Sequence, residues 1–332
     1  MSPGLNNKRM LHLMRAAVER CRLDLRGAVV LTEAASGAYV VTPVLAAMAG
    51  ATRVYAMTRD TRYGSVGQVT AATMELARIA ECADRIQVVT ELTAAMIGEA
   101  DIVTNSGHVR PIDARFVSRM KPTAVIPLMY EAWELRPEDL DLPACRAKGV
   151  RIAGTNERIP EVDVFSYLGV MAAKLLLDAG VSVYGSRVLL LCDNTFAPFI
   201  ERGLTGAGAI VQTATDVRAA EASGPVDAVL VAMRPGRAPV LDALGVEIVA
   251  ARWPGAVLAQ YWGDIDRDAV AAAGIPVWPE RAPCPGHMAM LPSGVGPEPI
   301  VRLQSGGLKV GEVLLRHART GERGEWEFVD EL

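Results

Sequence analysis

The chain has 332 residues, 51% of them hydrophobic and 22% charged, with a net charge of −4. That length exceeds one ordinary core and predicts two domains, while so small a charge offers no electrostatic case for nucleic acid or an anionic membrane as partner. The five cysteines, Cys21, Cys82, Cys145, Cys192 and Cys284, form no C-x-x-C pair, which speaks against a zinc site and a disulfide framework and for reduced thiols in a cytoplasmic protein. The opening "MSPGLNNKRMLHLM" holds no apolar run long enough for a signal peptide, and nothing in the chain approaches eighteen uninterrupted apolar residues.

In chain order, "KRMLHLMRAAVERCRLDL" spaces Met10, Leu11, Met14, Ala17, Val18 and Cys21 at helical intervals. Strands and helices then alternate. "GAVVLTEA" reads as a buried strand, "YVVTPVLAAMAG" as a helix stopped by Gly50, "TRVYAMTRD" as a strand and "VTAATMELARIAE" as a helix. "RIQVVTE", "ADIVTNSG", "TAVIPLMYE" and "GVRIAGTN" are four further strands. The helix "EVDVFSYLGVMAAKLLLDAG" should cross to a second domain. There the pattern restarts with six strands: "SRVLLLCDN", "GAIVQTAT", "VDAVLVAMRPG", "VEIVAARW", "GAVLAQYWGD" and "GIPVWPE". "SGGLKVGEVLLRHAR" is a last helix and "TGERGEWEFVDEL" a polar tail.

The halves echo one another. Ala100-Asp101 heads one strand as Val226-Asp227 heads another, "KPTAVIPLMYE" matches "WPGAVLAQYWG", and Asp139 and Asp268 each start a short helix soon after. The expectation is α/β: two tandem Rossmann-like doubly wound parallel sheets joined by a long crossover helix. Residues 1–160 form the first domain, the host of any nucleotide. Residues 161–332 form the second, substrate-side domain with the linker helix, the C-terminal helix and the tail.

"EADIVTNSGHVRPIDARFVSRMKPTAVIPLMYE" is similar to the fourth and fifth strands of the NAD-binding domain of S-adenosylhomocysteine hydrolases, with Thr123 in place of a glycine after Met120-Lys121-Pro122. "KGVRIAGTNERIPEVDVFSYLGVMAAKLLL" as crossover and "PGAVLAQYWGDIDRDAVAAAGI" resemble the D-2-hydroxyacid dehydrogenases. The resemblance implies an NAD(P)-dependent dehydrogenase or reductase acting on a small polar or anionic molecule in an interdomain cleft. It also implies a homo-oligomer, in the simplest case a homodimer. Two departures matter. Trp262-Gly263 stands where that family carries arginine-glycine, and "LLLCDNTFAPF" lacks its glycine fingerprint. If a dinucleotide binds, the first domain is therefore the host.

Phosphate binding at a helix N-terminus needs free amides and room for close approach. "EAASGAYVVT" offers Ser36, Gly37 and Ala38; alternatively Ser36 caps the helix and Gly37 eases the turn. After the second strand, Asp60 suits the ribose hydroxyls of NAD, whereas Thr58, Arg59 and Arg62 suit the 2′-phosphate of NADP. Shikimate dehydrogenases show a similar Thr-Arg cluster, and two arginines beside one aspartate favour NADP slightly. A solvated loop is the plain alternative.

Asn105, Ser106 and His108 end the fourth strand, where open sheets bind ligands, and Glu131 follows the fifth. His108 and His287 are the candidate proton carriers, with Glu131 orienting a base; Asn194 and Arg234 are candidates for substrate. No metal is expected. His287 and Cys284 lie in "PERAPCPGHMAMLPSGVGPEP", a loop of unusual length. Trp253, Trp262 and Trp278 are expected at a domain interface or lining a cleft. The competing reading is a non-redox biosynthetic enzyme doing condensation or lyase chemistry, or a ligand-binding protein on a degenerate dehydrogenase-like fold.

Overall fold

A computed structural model describes residues 3–220 and 224–332. The chain divides into two compact units, Met1–Val164 together with Gly296–Leu332, and Phe165–Val295.

The first unit begins with α1 (Asn7–Arg20), where the Asn6 side chain accepts the Arg9 N–H at 3.0 Å. Then follow β1 (Val29–Glu33), a 3-10 turn (Gly37–Val40), α2 (Val41–Met48), β2 (Arg53–Met57), α3 (Val66–Ile79), β3 (Ile86–Val89), α4 (Ala94–Glu99), β4 (Ile102–Val103), α5 (Ala114–Arg119), β5 (Val125–Pro127), α6 (Leu142–Lys148) and β6 (Arg151–Thr155). Ser65, Thr93, Asp113 and Asp141 cap α3, α4, α5 and α6 through their side chains, meeting amides that have no partner inside the helix.

The second unit runs α7 (Ser166–Asp178), β7 (Arg187–Leu191), α8 (Ala197–Gly206), β8 (Ile210–Ala214), β9 (Ala228–Ala232), α9 (Ala243–Arg252), β10 (Val257–Trp262), α10 (Arg267–Ala272) and β11 (Val277–Trp278). Its five-stranded sheet is parallel throughout, in the order β11-β10-β9-β7-β8. The chain then returns to the first unit as α11 (Glu298–Thr320) and β12 (Val329–Asp330).

The first sheet has the order β12-β6-β5-β4-β1-β2-β3, parallel except for β12, which pairs antiparallel with β6. Apolar side chains cover both faces, as the uninterrupted apolar strands require. Val30, Val54 and Ile102 pack with α1, α2, α3 and α11 on one face, and Leu31, Tyr55 and Val103 pack with α4, α5 and α6 on the other. The second sheet is likewise buried between α7 and α8 on one face and α9 and α10 on the other.

The internal repeat has a structural cause. Asp101 accepts the N–H of Val29, first residue of β1, at 2.9 Å, and Asp227 accepts the N–H of Arg187, first residue of β7, at 2.7 Å. In each unit one aspartate ties its strand to the head of the unit's first strand.

Four sequence expectations are corrected. "VEIVAARW" lies in α9, capped by the Asp242 side chain on Gly245 N–H; a short run of β-branched residues suits a buried helix as well as a strand. The C-terminal helix belongs to the first unit, where Gly307 and Gly311 let α11 approach Met129 and Ile102 within van der Waals range. The tail carries β12, and Phe328 beside it is fully buried. The helices expected to start at Asp139 and Asp268 are capped by Asp141 and Asp266.

Candidate functional site

Strand order in the first sheet reverses between β1 and β4, and ligands of open α/β sheets bind beyond the carboxyl ends of the strands at such a point. The segments found there are the turn after β1, the end of β2 and the loops after β4 and β5.

After β1, Ser36 has extended backbone and its side chain makes no capping bond. Gly37 follows at φ +65, with open space where a Cβ would stand. The hydroxyl of Ser36 and the leading amides of the 3-10 turn therefore face no side-chain partner of their own, as an anion-binding helix start requires.

After β2, Thr58 is fully buried and its hydroxyl has no hydrogen-bond partner. Asp60 accepts the Val66 N–H at 2.7 Å, capping the start of α3. Arg62 lies over the Tyr63 ring, 4.7 Å from its centroid. Arg59 reaches across to donate to the carbonyl of His108, so the β2 and β4 loops are tied together.

After β4, the Thr104 hydroxyl donates to Thr32 at 2.7 Å and lies 2.8 Å from the Ser106 hydroxyl. His108 is half-buried. Its backbone N–H donates to the Glu33 carboxylate at 3.0 Å. Burial holds the imidazole below its usual range, opposed by the Glu33 charge and assisted by Arg59, so it is neutral near pH 7. Asn105 is 1% exposed; its amide nitrogen donates to the Tyr130 hydroxyl and its carbonyl oxygen has no partner.

Glu131, expected to orient a base, is 2% exposed. Its carboxylate accepts from Trp133 Nε1 at 2.8 Å and meets Arg158 at 3.1 Å. Burial pushes it above the ordinary glutamate range. Glu157, after β6, is pushed well above that range by burial and by the charges of Glu134 and Glu131.

Sequence reasoning missed Glu33, Tyr39 and Glu157. The signal for Glu33 was a carboxylate inside an otherwise apolar strand, "VVLTEA", where burial is costly unless the group is used.

In the second unit, Asn194 is spent on its own turn: it donates to Ala232 O at 2.8 Å and to Asp193 at 3.0 Å, and accepts the Phe196 N–H at 3.0 Å. Phe196 stacks on Trp262, centroids 5.0 Å apart, where a phosphate-binding turn would need small residues. Arg234 is exposed, and its N–H donates to Asp193 at 2.8 Å. His287 is exposed in its loop, with its N–H on Cys284 O at 2.9 Å. Trp253 and Trp262, expected at an interface or cleft, are 3% and 5% exposed in the second unit's own cores. Among the described residues no cluster of His, Cys, Asp and Glu is arranged to hold a metal ion, and no helix is long and apolar enough to cross a membrane.

Two doubly wound parallel sheets, one with the strand order of dinucleotide-binding domains, define a two-domain Rossmann-type α/β protein. Among solved structures, the chain is similar to a dipicolinate synthase from Bacillus subtilis (TM-score 0.57, 12% identity, covering 91% of this chain and 100% of that one). It is also similar to the dipicolinate synthase from Bacillus halodurans (TM-score 0.53, 14% identity, 89% and 99% covered). A third similar structure is the NAD-dependent formate dehydrogenase from Staphylococcus aureus in complex with NAD (TM-score 0.52, 11% identity, 91% and 97% covered). At these identities the likeness is one of fold. No protein-family model matches the chain, and no curated protein matches it.

Proposed function

We propose that the protein is a nicotinamide-dinucleotide-dependent oxidoreductase whose nucleotide binds at the carboxyl edge of the first sheet. What supports the reading is the β1/β4 strand reversal, with the open Ser36-Gly37 turn, the unpartnered Asn105 oxygen and the half-buried His108 on segments that follow these two strands. The turn suits a diphosphate: Gly37 admits close approach and Ser36 has a free hydroxyl. Ser36, Gly37 and Ala38 would hold the diphosphate, Thr58, Arg59, Asp60 and Arg62 the adenosine end, and Asn105 and Ser106 the nicotinamide end. When bound, the dinucleotide supplies hydride transfer to or from a carbon of a small alcohol or carbonyl substrate. His108, neutral near pH 7, takes the hydroxyl proton of such an alcohol or returns it to a carbonyl. Arg59 favours NADP through its charge.

The test is a thermal-shift panel with NAD, NADP and S-adenosylmethionine, because a ligand of the folded state must raise the melting temperature. A shift with a nicotinamide dinucleotide, together with nicotinamide absorbance changes on turnover, is the expected result. A buried Glu33 next to the turn favours a second reading, a non-redox ligand-binding or lyase-type protein, because a carboxylate there repels phosphate. Absence of any shift with both dinucleotides selects that second reading.

A further inference from the structure

The hydrogen bonds behind the end of β4 run in one direction. Arg110 donates to the Asp139 carboxylate at 2.6 Å. A carboxylate only accepts, so the Tyr130 hydroxyl spends its single proton on Asp139, 3.3 Å away. Its oxygen is then left to accept, and it takes the Asn105 NH2. That sequence of donors fixes which way the Asn105 amide faces and leaves Oδ1 as a buried acceptor with no donor. Such a group is unfavourable unless a partner arrives, and it calls for an N–H or O–H from outside the chain.

The same sheet edge carries three carboxyls outside any ion pair among the described residues, with only the more distant charge of Arg136 acting on Glu134. Glu33 is 8% exposed and Glu157 7% exposed. Glu134, though its residue surface is open, turns its carboxyl onto the Glu131 N–H at 3.3 Å. Among the described residues Glu33, Glu134 and Glu157 form no ion pair with Lys or Arg, whereas Glu131 has Arg158. The Glu33 carboxylate lies against the loop after β4, on the His108 N–H at 3.0 Å; burial raises both nearby phenols, Tyr39 with the charges of Glu33, Glu157 and Glu134, and Tyr130 with those of Asp139 and Glu134 opposed by Arg110. Burial and mutual repulsion raise Glu134 and Glu157 above the ordinary glutamate range, so near neutral pH these carboxyls hold protons that an arriving cation would release.

We propose that this edge receives a ligand head that is both cationic and an N–H donor, with one N–H on Asn105 Oδ1 and the positive charge against Glu134 and Glu33. The proposal rests on the reading that the carboxyl edge of the first sheet is the ligand site, and it adds the chemistry of the head. A substrate ammonium supplies that chemistry. So does the positively charged nicotinamide of an oxidised dinucleotide through its carboxamide.

The experiment is thermal shift of the full chain near neutral pH with four probes: 1,4-diaminobutane, the uncharged 1,4-butanediol, NAD in its oxidised form and NADH. The diamine, or oxidised NAD in preference to NADH, is expected to raise the melting temperature. The rise should be lost in Glu134→Gln and in Asn105→Leu. Glu134→Gln, at an open residue surface, keeps the test valid if Asn105→Leu fails to fold. Response to the diamine assigns the head to the substrate, and preference for the oxidised nucleotide assigns it to the cofactor. Equal shifts with diamine and diol, or a charge-dependent shift that survives both substitutions, overturn the proposal. Equal shifts with NAD and NADH without a diamine response also overturn it, while leaving the nucleotide reading standing. A diamine response without any nucleotide response does the reverse. No response to any probe overturns both.

Discussion

The Glu33 carboxylate, last residue of β1, accepts the backbone N–H of His108 at 3.0 Å, and Arg59 donates to the carbonyl of the same histidine. His108 is thus gripped through its main chain from β1 and from the loop after β2, which leaves its imidazole as the part free to do chemistry.

Glu33→Ala is expected to cost about 1–3 kcal/mol of stability, because it leaves the half-buried His108 amide without an acceptor. Glu33→Gln keeps an acceptor oxygen and should avoid most of that loss. Urea unfolding of the two variants measures the difference; equal destabilisation by both would show that the charge, not the hydrogen bond, matters.

His108→Ala should lower turnover by roughly 10²–10⁴, the usual contribution of a positioned acid–base group, while the nucleotide-induced thermal shift persists. Because burial holds the imidazole below its usual range, alcohol oxidation should keep its rate down to mildly acidic pH and then fall as His108 takes a proton. An acidic limb unchanged in His108→Ala removes the residue from the reaction.

NADP should stabilise the protein more than NAD, and Arg59→Ala should remove about 1–3 kcal/mol of that preference, the range for hydrogen bonds to charged groups. A 2′-phosphate must draw the guanidinium from the His108 carbonyl, so NADP should also loosen the Ser106–Arg110 loop, readable as faster amide exchange. Identical shifts with NAD and NADP would sink the assignment.

Acidification should stabilise the first unit through its carboxyls. Desolvation of its carboxyl, turned inward from an otherwise open residue, pushes Glu134 up to about 7, and burial with the charges of Glu134 and Glu131 pushes Glu157 well above the ordinary value of 4.5. Raised values mean that the folded state holds these protons more tightly. Their contribution is present in full below the ordinary glutamate range and lost as pH rises through the folded-state values. The difference in melting temperature between wild type and Glu157→Gln should therefore change in wild type's favour from pH about 8 to about 5.5. A pH-independent difference would refute this.

Phe328→Ala should cost about 3–5 kcal/mol, since the ring is fully buried against the core of the first unit. A loss under about 0.5 kcal/mol, typical of a surface site, would mean the C-terminal segment is not docked.

The buried parallel strands were legible because each is a short apolar run bounded by turn residues, and α1, α2, α3 and α7 because their apolar spacing marks them. The correspondence of Asp101 with Asp227 was visible as a repeat before its hydrogen bonds were known. The stretch 29–43 was readable as strand, turn and helix, with Gly37 marking the one position of positive φ between them. These are local properties, and local sequence carries them.

What only the tertiary structure decided involves residues far apart in the chain. That α11 and β12 belong to the first unit depends on Arg319 reaching Asp101 at 3.1 Å and on Val329 pairing with Thr155. That Glu131 is buried depends on Arg158 and Trp133 closing over it. Asn194 is consumed by its own turn through Ala232, a residue of another strand. The direction of the Asn105 amide follows from Tyr130, Asp139 and Arg110 together. Hydrogen-bond partners and burial arise from chain segments brought together by packing, and no periodicity along the chain encodes which segments will meet.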